Sequence, residues 1–128
     1  MKPSELAEFL APSMSRAELA LDEIQDGITY AERRAWAIYY SSATCRLQIC
    51  WSEREEGIDF MLARPCAPDE FGLLNPSKAW HYMLLLSDID DDLPTPGLYA
   101  DENEVMMWLR DLFEIHFEAA RAALLSKA

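Results

Sequence analysis

Apolar residues alternate with other residues in the middle third of the chain, and this alternation predicts three antiparallel strands. Every second residue is large and apolar in three stretches: Trp36, Ile38 and Tyr40 in AWAIYYSS; Leu47, Ile49 and Trp51 in RLQICW; Ile58, Phe60 and Leu62 in IDFMLA. The polar sequence SEREEG joins the second and third stretches and ends in glycine. It predicts a hairpin loop that is longer than the two-residue kind.

A helical period replaces the alternation near the N-terminus. A short helix is expected from Ser4 to Leu10, and Pro12 should end it because proline lacks an N–H and clashes with the preceding turn. Ser15 and Glu18 then have the capping-box spacing, which predicts a second helix. Its apolar positions recur at helical intervals: Ala17, Ala20, Leu21, Ile24 and Ile28.

The last quarter of the chain predicts a long helix. It should begin at the D-x-x-E sequence of Asp101 and Glu104 and continue to about Ser126. A wide apolar stripe follows at helical spacing, formed by Val105, Trp108, Leu109, Leu112, His116 and Ala119. Charged residues occupy the opposite side, as expected for a helix that covers a sheet.

Two stretches between these elements are less regular. RPCAPDEFGLLNPSKA carries three prolines and a glycine, which predicts an ordered loop across the surface. Trp80 to Leu86 is apolar throughout and is compatible with a strand or a short buried helix, of which we favour the strand. We therefore predict a single α+β domain over residues 1–128. Its antiparallel sheet of three to four strands should be covered on one face by N-terminal helices and a long C-terminal helix.

The net charge of the chain limits the classes of molecule that the protein is expected to bind. The 128 residues include 23 acidic and 11 basic side chains, for a formal net charge of −12 at pH 7. This argues against binding to nucleic acid or to an anionic membrane, and it favours a basic protein partner. Acidity could also serve solubility alone. Glu5 and Glu8 lie where a signal peptide would be apolar, and no apolar run reaches the roughly 20 residues of a membrane span, so we expect a cytoplasmic protein.

The most acidic segment is SDIDDDLPTPGLYADENE, residues 87–104, which has seven carboxylates and no lysine or arginine. The D-x-D-x-D spacing from Asp88 to Asp92 begins a calcium-loop pattern. Leu93 stands where that pattern needs a glycine, and Tyr99 stands where it needs a bidentate glutamate. The sequence therefore predicts neither a metal site nor a cofactor here.

Catalytic patterns are similarly weak. Cys45, Cys50 and Cys66 show no CxxC spacing, so neither a disulfide framework nor a zinc site is indicated. Cys66 with His81 or His116 could form a nucleophile and base pair, but no spacing supports that geometry. Both histidines are more typical of hydrogen-bonded structural imidazoles. GxGxxG, GxxxxGK[ST], HExxH and GxSxG are all absent, and we predict no catalytic residue.

One stretch carries a family resemblance. From Tyr39 to Leu86, the RLQ strand, the polar SERE-G hairpin, the proline-rich loop AP-EFGL and the aromatic segment AWHYMLLL are similar in layout to small bacterial immunity proteins. Those proteins neutralise polymorphic or contact-dependent toxins. The resemblance implies a protein that binds one cognate toxin domain, often a basic nuclease, and blocks its active site or holds it inactive.

The charge and the resemblance together predict an acidic surface that binds a basic protein. Carboxylates would attract the partner, and two apolar side chains would anchor it. The predicted binding residues are Asp88, Asp90, Asp91, Asp92, Leu98, Tyr99, Asp101, Glu102 and Glu104, with Glu53, Glu55 and Glu56 of the hairpin as a second group. A solvated loop with no partner, a secretion-effector chaperone, and a small ligand-binding domain or enzyme remain alternatives. The sequence leaves the oligomeric state open.

Overall fold

Five antiparallel strands form a meander in which neighbours along the chain are neighbours in the sheet, in the order β1-β2-β3-β4-β5. The structure is a computed structural model and describes residues 1–126. The elements are α1 (Pro3–Arg16), β1 (Ala20–Tyr30), β2 (Arg33–Ser41), β3 (Arg46–Ser52), β4 (Gly57–Ala63), β5 (His81–Tyr82), α2 (Met83–Leu86) and α3 (Glu102–Ser126). The predicted α+β arrangement is confirmed. The sheet has five strands, where three to four were expected. Residues 127 and 128 of the predicted domain lie outside the described residues.

One face of the sheet packs against α1 and α3 and forms the larger core. The apolar residues predicted to share a side of the three middle strands all lie on this face. The two helices contribute Leu6, Leu10, Met14, Leu109, Phe113 and Phe117. The predicted covering of one face by the first and last helices is therefore confirmed.

The opposite face is also covered, which the sequence did not indicate. Residues 64–80 contain no helix or strand and cross this face, where Phe71 and Trp80 are buried. They pack against the side chains that point to this face of the sheet, namely Ala35, Ala37, Tyr39, Cys50, Met61 and Ala63. The proline-rich loop is thus a second covering layer of the sheet.

The helix that we predicted after Pro12 does not exist. Pro12 lies inside α1, on its exposed side, where the carbonyl it leaves unpaired can meet water. The helix ends four residues later at a Schellman motif, because Glu18 adopts a left-handed φ of 62°. The amide N–H of Leu19 then reaches the carbonyl of Met14 at 2.9 Å. Glu18 therefore stops a helix rather than completing the N-terminal cap of another.

Residues 20–30 form the edge strand β1, although their apolar residues recur every four positions. The register shifts at two places, between Leu21 and Glu23 and between Asp26 and Ile28. Gly27 occupies the second bulge with a φ of 90°. The extra residue turns Ile28 onto the opposite face of the sheet from Ile24. The two bulges thus interrupt the alternation by which a regular strand is recognised in a sequence.

The segment Trp80–Leu86 holds both of the structures that we considered. Its strand, β5, has only two residues, and the next four residues form the single turn α2. Beyond it, α3 agrees with the prediction over its whole length. Within residues 1–126, no helix combines the length and the apolar character needed to cross a membrane.

Candidate protein-binding surface

The acidic segment connects α2 to α3, and its first residues are fastened to α3 by His116. This imidazole is 3% exposed, and both of its nitrogens are bonded. Nε2 lies 2.6 Å from Oδ2 of Asp91, and Nδ1 lies 2.7 Å from Oγ of Ser87. Because an ionised carboxylate only accepts, Nε2–H donates to Asp91 and Nδ1 accepts from the Ser87 hydroxyl in the neutral imidazole.

Asp91 is consequently a structural carboxylate. Besides the bond from His116, it accepts the backbone N–H of Leu93 at 3.1 Å. The hydrogen bond from His116, followed by that from Leu93, lowers the pKa of Asp91 below its ordinary value. We predicted Asp91 as a binding residue, and the structure places its side chain against α3, with 23% of it exposed.

Ser87, His116 and Asp91 are the residue types of a hydrolytic triad, but their arrangement is that of a tether. The Ser87 oxygen also accepts the backbone N–H of Ile89 at 3.2 Å, which holds it within its own turn. The sequence prediction placed His116 on the buried stripe of α3 without identifying its partners. A histidine on an apolar stripe signals that polar partners must be supplied from elsewhere in the chain.

The last acidic residues of the segment belong partly to the start of α3. Oδ1 of Asp101 accepts the backbone N–H of Glu104 at 2.8 Å, which caps the helix. Glu102 pairs with the N-terminal amine of Met1 at 3.0 Å. The expected cap is confirmed, and these carboxylates contribute to folding whether or not they also meet a partner.

Four carboxylates of the segment have no ion pair or side-chain hydrogen bond within residues 1–126: Asp88, Asp90, Asp92 and Glu104. All four residues are exposed. Their charge is therefore available to a molecule that approaches this side of the protein.

Leu98 and Tyr99 lie in the same segment and are almost fully exposed, at 91% and 95%. They are the two central residues of the turn from Gly97 to Ala100, in which the N–H of Ala100 donates to the carbonyl of Gly97 at 3.0 Å. This turn precedes the cap of α3. Neither side chain therefore belongs to the core. Exposure of two adjacent large apolar side chains costs free energy in water that a contact with a partner would recover.

The hairpin between β3 and β4 supplies the second predicted acidic group, and only part of it is unpaired. Glu53 pairs with Arg34 at 3.3 Å, and Glu55 lies 3.8 Å from its neighbour Arg54. Glu56 has no such partner within the described residues.

The fold brings Glu56 to the acidic segment. A groove of about 340 Å³ is lined by Glu56 and Ile58 of the hairpin, by residues 95–97 of the segment and by Trp108 of α3. A second groove, of about 410 Å³, is also lined by residues 95–97 and Trp108, together with Glu104. Glu56 of the hairpin and Glu104 of α3 therefore border two grooves that share residues 95–97.

The remaining chemical candidates do not assemble. Cys45 and Cys50 are buried on opposite faces of the sheet, and Cys66 is exposed. His116 has both ring nitrogens bonded and offers none to Cys66. Across residues 1–126, no three His, Cys, Asp or Glu side chains are grouped so that they could hold a metal ion.

Comparisons of the chain with protein-family models, with curated protein sequences and with solved structures found no match. The geometry of this surface is therefore the basis for any functional proposal.

Proposed function

We propose that this protein binds a basic protein partner through an acidic face made of Glu56, Asp88, Asp90, Asp92, Leu98, Tyr99 and Glu104. The observation that carries the proposal is the exposure of Leu98 and Tyr99, at 91% and 95%, in the same segment as four carboxylates that have no ion pair or side-chain hydrogen bond within the described residues. The partner that fits this chemistry and the family resemblance is a basic toxin domain, which the protein neutralises in the cytoplasm.

Charge and apolar contact have separate roles in this proposal. The unpaired carboxylates steer a basic surface towards the acidic face and raise the association rate. Burial of Leu98 and Tyr99 then holds the complex and slows its dissociation. The two grooves that share residues 95–97 and Trp108 offer room for side chains of the partner.

Affinity capture from the native host with variants of matched charge tests the proposal. The acidic variant Asp88→Asn/Asp90→Asn/Asp92→Asn leaves the His116 tether intact, because it does not change Asp91. Its control, Glu8→Gln/Glu18→Gln/Glu32→Gln, removes the same charge from exposed carboxylates without ion pairs elsewhere in the described chain. Leu98→Ala/Tyr99→Ala removes the anchors, and Leu21→Ala removes an exposed leucine from β1.

We expect the wild type and both controls to capture one basic protein, which mass spectrometry identifies. The acidic and anchor variants should each retain about a tenth of it or less. Equal capture by all variants, or capture of acidic proteins alone, would contradict the proposal. Expression of the captured protein should also arrest growth, and co-expression of this chain should relieve the arrest. Binding without that relief would leave a binding protein that is not a toxin inhibitor.

The salt dependence of association separates this mode from a chaperone that binds through an apolar groove. Raising the ionic strength from about 0.05 to 0.5 M should slow association with the captured partner about tenfold, since screening shortens the reach of the carboxylates. The acidic variant should lose most of this dependence and the charge-matched control should keep it. A rate that does not change with salt would favour the chaperone.

A further inference from the structure

A third groove, of about 470 Å³, lies beside the short strand β5 and is separate from the acidic face. Residues 64–80, the covering loop, contribute residues 72–75, Lys78 and Trp80 to its walls. The other walls are formed by His81, Tyr82, Leu85, Leu86 and Met61 of β4. The volume is in the range of pockets that hold small organic molecules. No part of the proposed acidic face contributes to it.

The side chains that line this groove are not acidic. Although the chain carries a net charge of −12, no Asp or Glu is among the residues that line the groove, whereas Lys78 and His81 are. Lys78 is exposed and forms no ion pair with any residue that the structure describes. An ammonium group without a counter-ion beside an apolar wall favours an anionic ligand.

The segment that presents Lys78 is held in a fixed conformation. Asn75 bonds to Trp80 twice, because its amide Nδ2 donates to the carbonyl at 2.8 Å and its Oδ1 accepts the backbone N–H at 3.1 Å. The N–H of Lys78 donates to the carbonyl of Asn75 at 3.1 Å. Trp80 is in turn buried in the smaller core. The groove therefore exists before any ligand arrives, which limits the entropy lost on binding.

The remaining wall is apolar and open to water. Leu85 is 82% exposed, Leu74 is 58% exposed and Tyr82 is 38% exposed. All three residues line the groove together with Leu86. An apolar ligand that covered these side chains would remove hydrocarbon from water on both molecules.

We propose that this groove binds a small aliphatic carboxylate. Its carboxylate would pair with the ammonium of Lys78, and its hydrocarbon chain would lie along Leu74, Tyr82 and Leu85. A single lysine suits one carboxylate charge, whereas a phosphate monoester usually draws several donors or an arginine. The site is independent of the acidic face and does not rest on the proposed protein partner.

Titration with decanoate, followed by amide chemical shifts in ¹⁵N-labelled protein and by calorimetry, tests the proposal. We expect saturable binding with a dissociation constant below about 1 mM, with shifts in residues 72–86. Decanol and decyltrimethylammonium have the same chain length without the negative charge, and each should bind at least about tenfold more weakly.

Variants then assign the two ends of the ligand. Lys78→Gln should weaken decanoate binding about tenfold, Lys78→Arg should restore most of it, and Leu85→Ser should weaken decanoate and decanol equally. Lys2→Gln removes an exposed lysine elsewhere and should have no effect. The acidic variant Asp88→Asn/Asp90→Asn/Asp92→Asn should bind decanoate as the wild type does, whatever its effect on a protein partner.

Four results would overturn the proposal: no saturable binding of decanoate, equal binding of decanol, unchanged binding by a folded Lys78→Gln variant, or chemical-shift changes confined to residues outside the groove. Circular dichroism and thermal unfolding establish that each variant is folded before its affinity is compared.

Discussion

Two irregular segments of similar length lie on this molecule, and they have opposite relations to the core. Residues 64–80 and residues 87–101 are both rich in proline and contain no helix or strand. The first, the covering loop, places Phe71 and Trp80 in the core. The second, the part of the acidic segment that precedes α3, places Leu98 and Tyr99 in solvent.

The two segments differ in how they are hydrogen-bonded to side chains of the sheet and of α3. Gln48 of β3 bonds to two backbone groups of the covering loop, and Arg46 bonds to the carbonyl of Ala67 at 3.0 Å. His116 holds only the beginning of the acidic segment, and the cap of α3 holds its end. Proline content therefore does not separate a structural loop from a presented surface. The position of the buried polar anchors separates them, because Gln48 holds the middle of the covering loop whereas His116 holds only the beginning of the acidic segment.

One of the two largest effects should follow from the loss of the Gln48 anchor. Its Nε2 donates to the carbonyl of Glu70 at 3.0 Å, and its Oε1 accepts the N–H of Gly72 at 2.8 Å. Gln48→Ala leaves both groups without this partner in a buried site, and we expect a loss of about 3 kcal/mol in the free energy of unfolding. Urea unfolding measures it. Gln25→Ala, on the edge strand, is the control and should cost under about 0.5 kcal/mol.

Amide hydrogen exchange on the same variant tests whether the two segments are independent. Protection should fall in residues 66–74 of Gln48→Ala and stay unchanged in residues 87–92. Loss of protection in both segments would mean that they open as one unit, and the comparison between them would fail.

Glycine-to-alanine substitutions compare the two segments with a smaller expected change in the free energy of unfolding. A Cβ on Gly72 would overlap Sδ of the buried Met61 and lie 3.1 Å from Oε1 of Gln48, whereas a Cβ on Gly97 would meet nothing within 4 Å. We expect Gly72→Ala to lower the free energy of unfolding by about 2 kcal/mol through overpacking. Gly97→Ala should leave it unchanged or raise it by up to about 0.5 kcal/mol. Thermal or urea unfolding of both variants would reveal any reversal of this order.

The His116 tether predicts a pH dependence that is confined to the acidic segment. The pKa of Asp91 is lowered in the folded protein, chiefly by the hydrogen bond from His116, so its charge stabilises the fold above the unfolded value of about 3.9. That contribution disappears as pH falls through the lowered folded pKa. The stability gap between wild type and Asp91→Asn should therefore be full at pH 6 and close below about pH 4.

Urea unfolding between pH 6 and pH 2 measures this gap, and Asp90→Asn is the matched control. Asp90 has no ion pair or side-chain hydrogen bond within the described residues, so its variant should follow the wild type across the range. A gap for Asp91→Asn that did not change with pH would show that its charge is not what the tether uses.

The sequence predicted the elements whose burial follows a regular period. The three middle strands and α3 were found because each keeps one apolar side along its whole length. The error at β1 arose because bulges at two places interrupt the alternation, while Ala20, Ile24 and Ile28 recur every four residues as they would in a helix. The left-handed Glu18 ended α1 without the glycine that usually marks such a position.

The candidate surface was predicted by composition, but the roles of its carboxylates were not. Charge density alone treats Asp91 like its neighbours, while the structure gives it two hydrogen bonds. The bond from His116 joins residues 25 apart in sequence, which no local pattern encodes. The exposure of Leu98 and Tyr99 likewise depends on how far the turn projects from α3, and the sequence was compatible with either outcome.

The smallest effect on stability should come from the residues with the largest proposed effect on binding. Leu98 and Tyr99 contribute almost nothing to the core, so Leu98→Ala/Tyr99→Ala should change the free energy of unfolding by less than about 0.5 kcal/mol. Phe71→Ala, in the covering loop, should cost about 3 kcal/mol or more because that ring is buried. Urea unfolding of both variants measures the contrast. A loss above about 1 kcal/mol for the double variant would place its side chains in the folded core, and any loss of partner binding could then be an effect of unfolding.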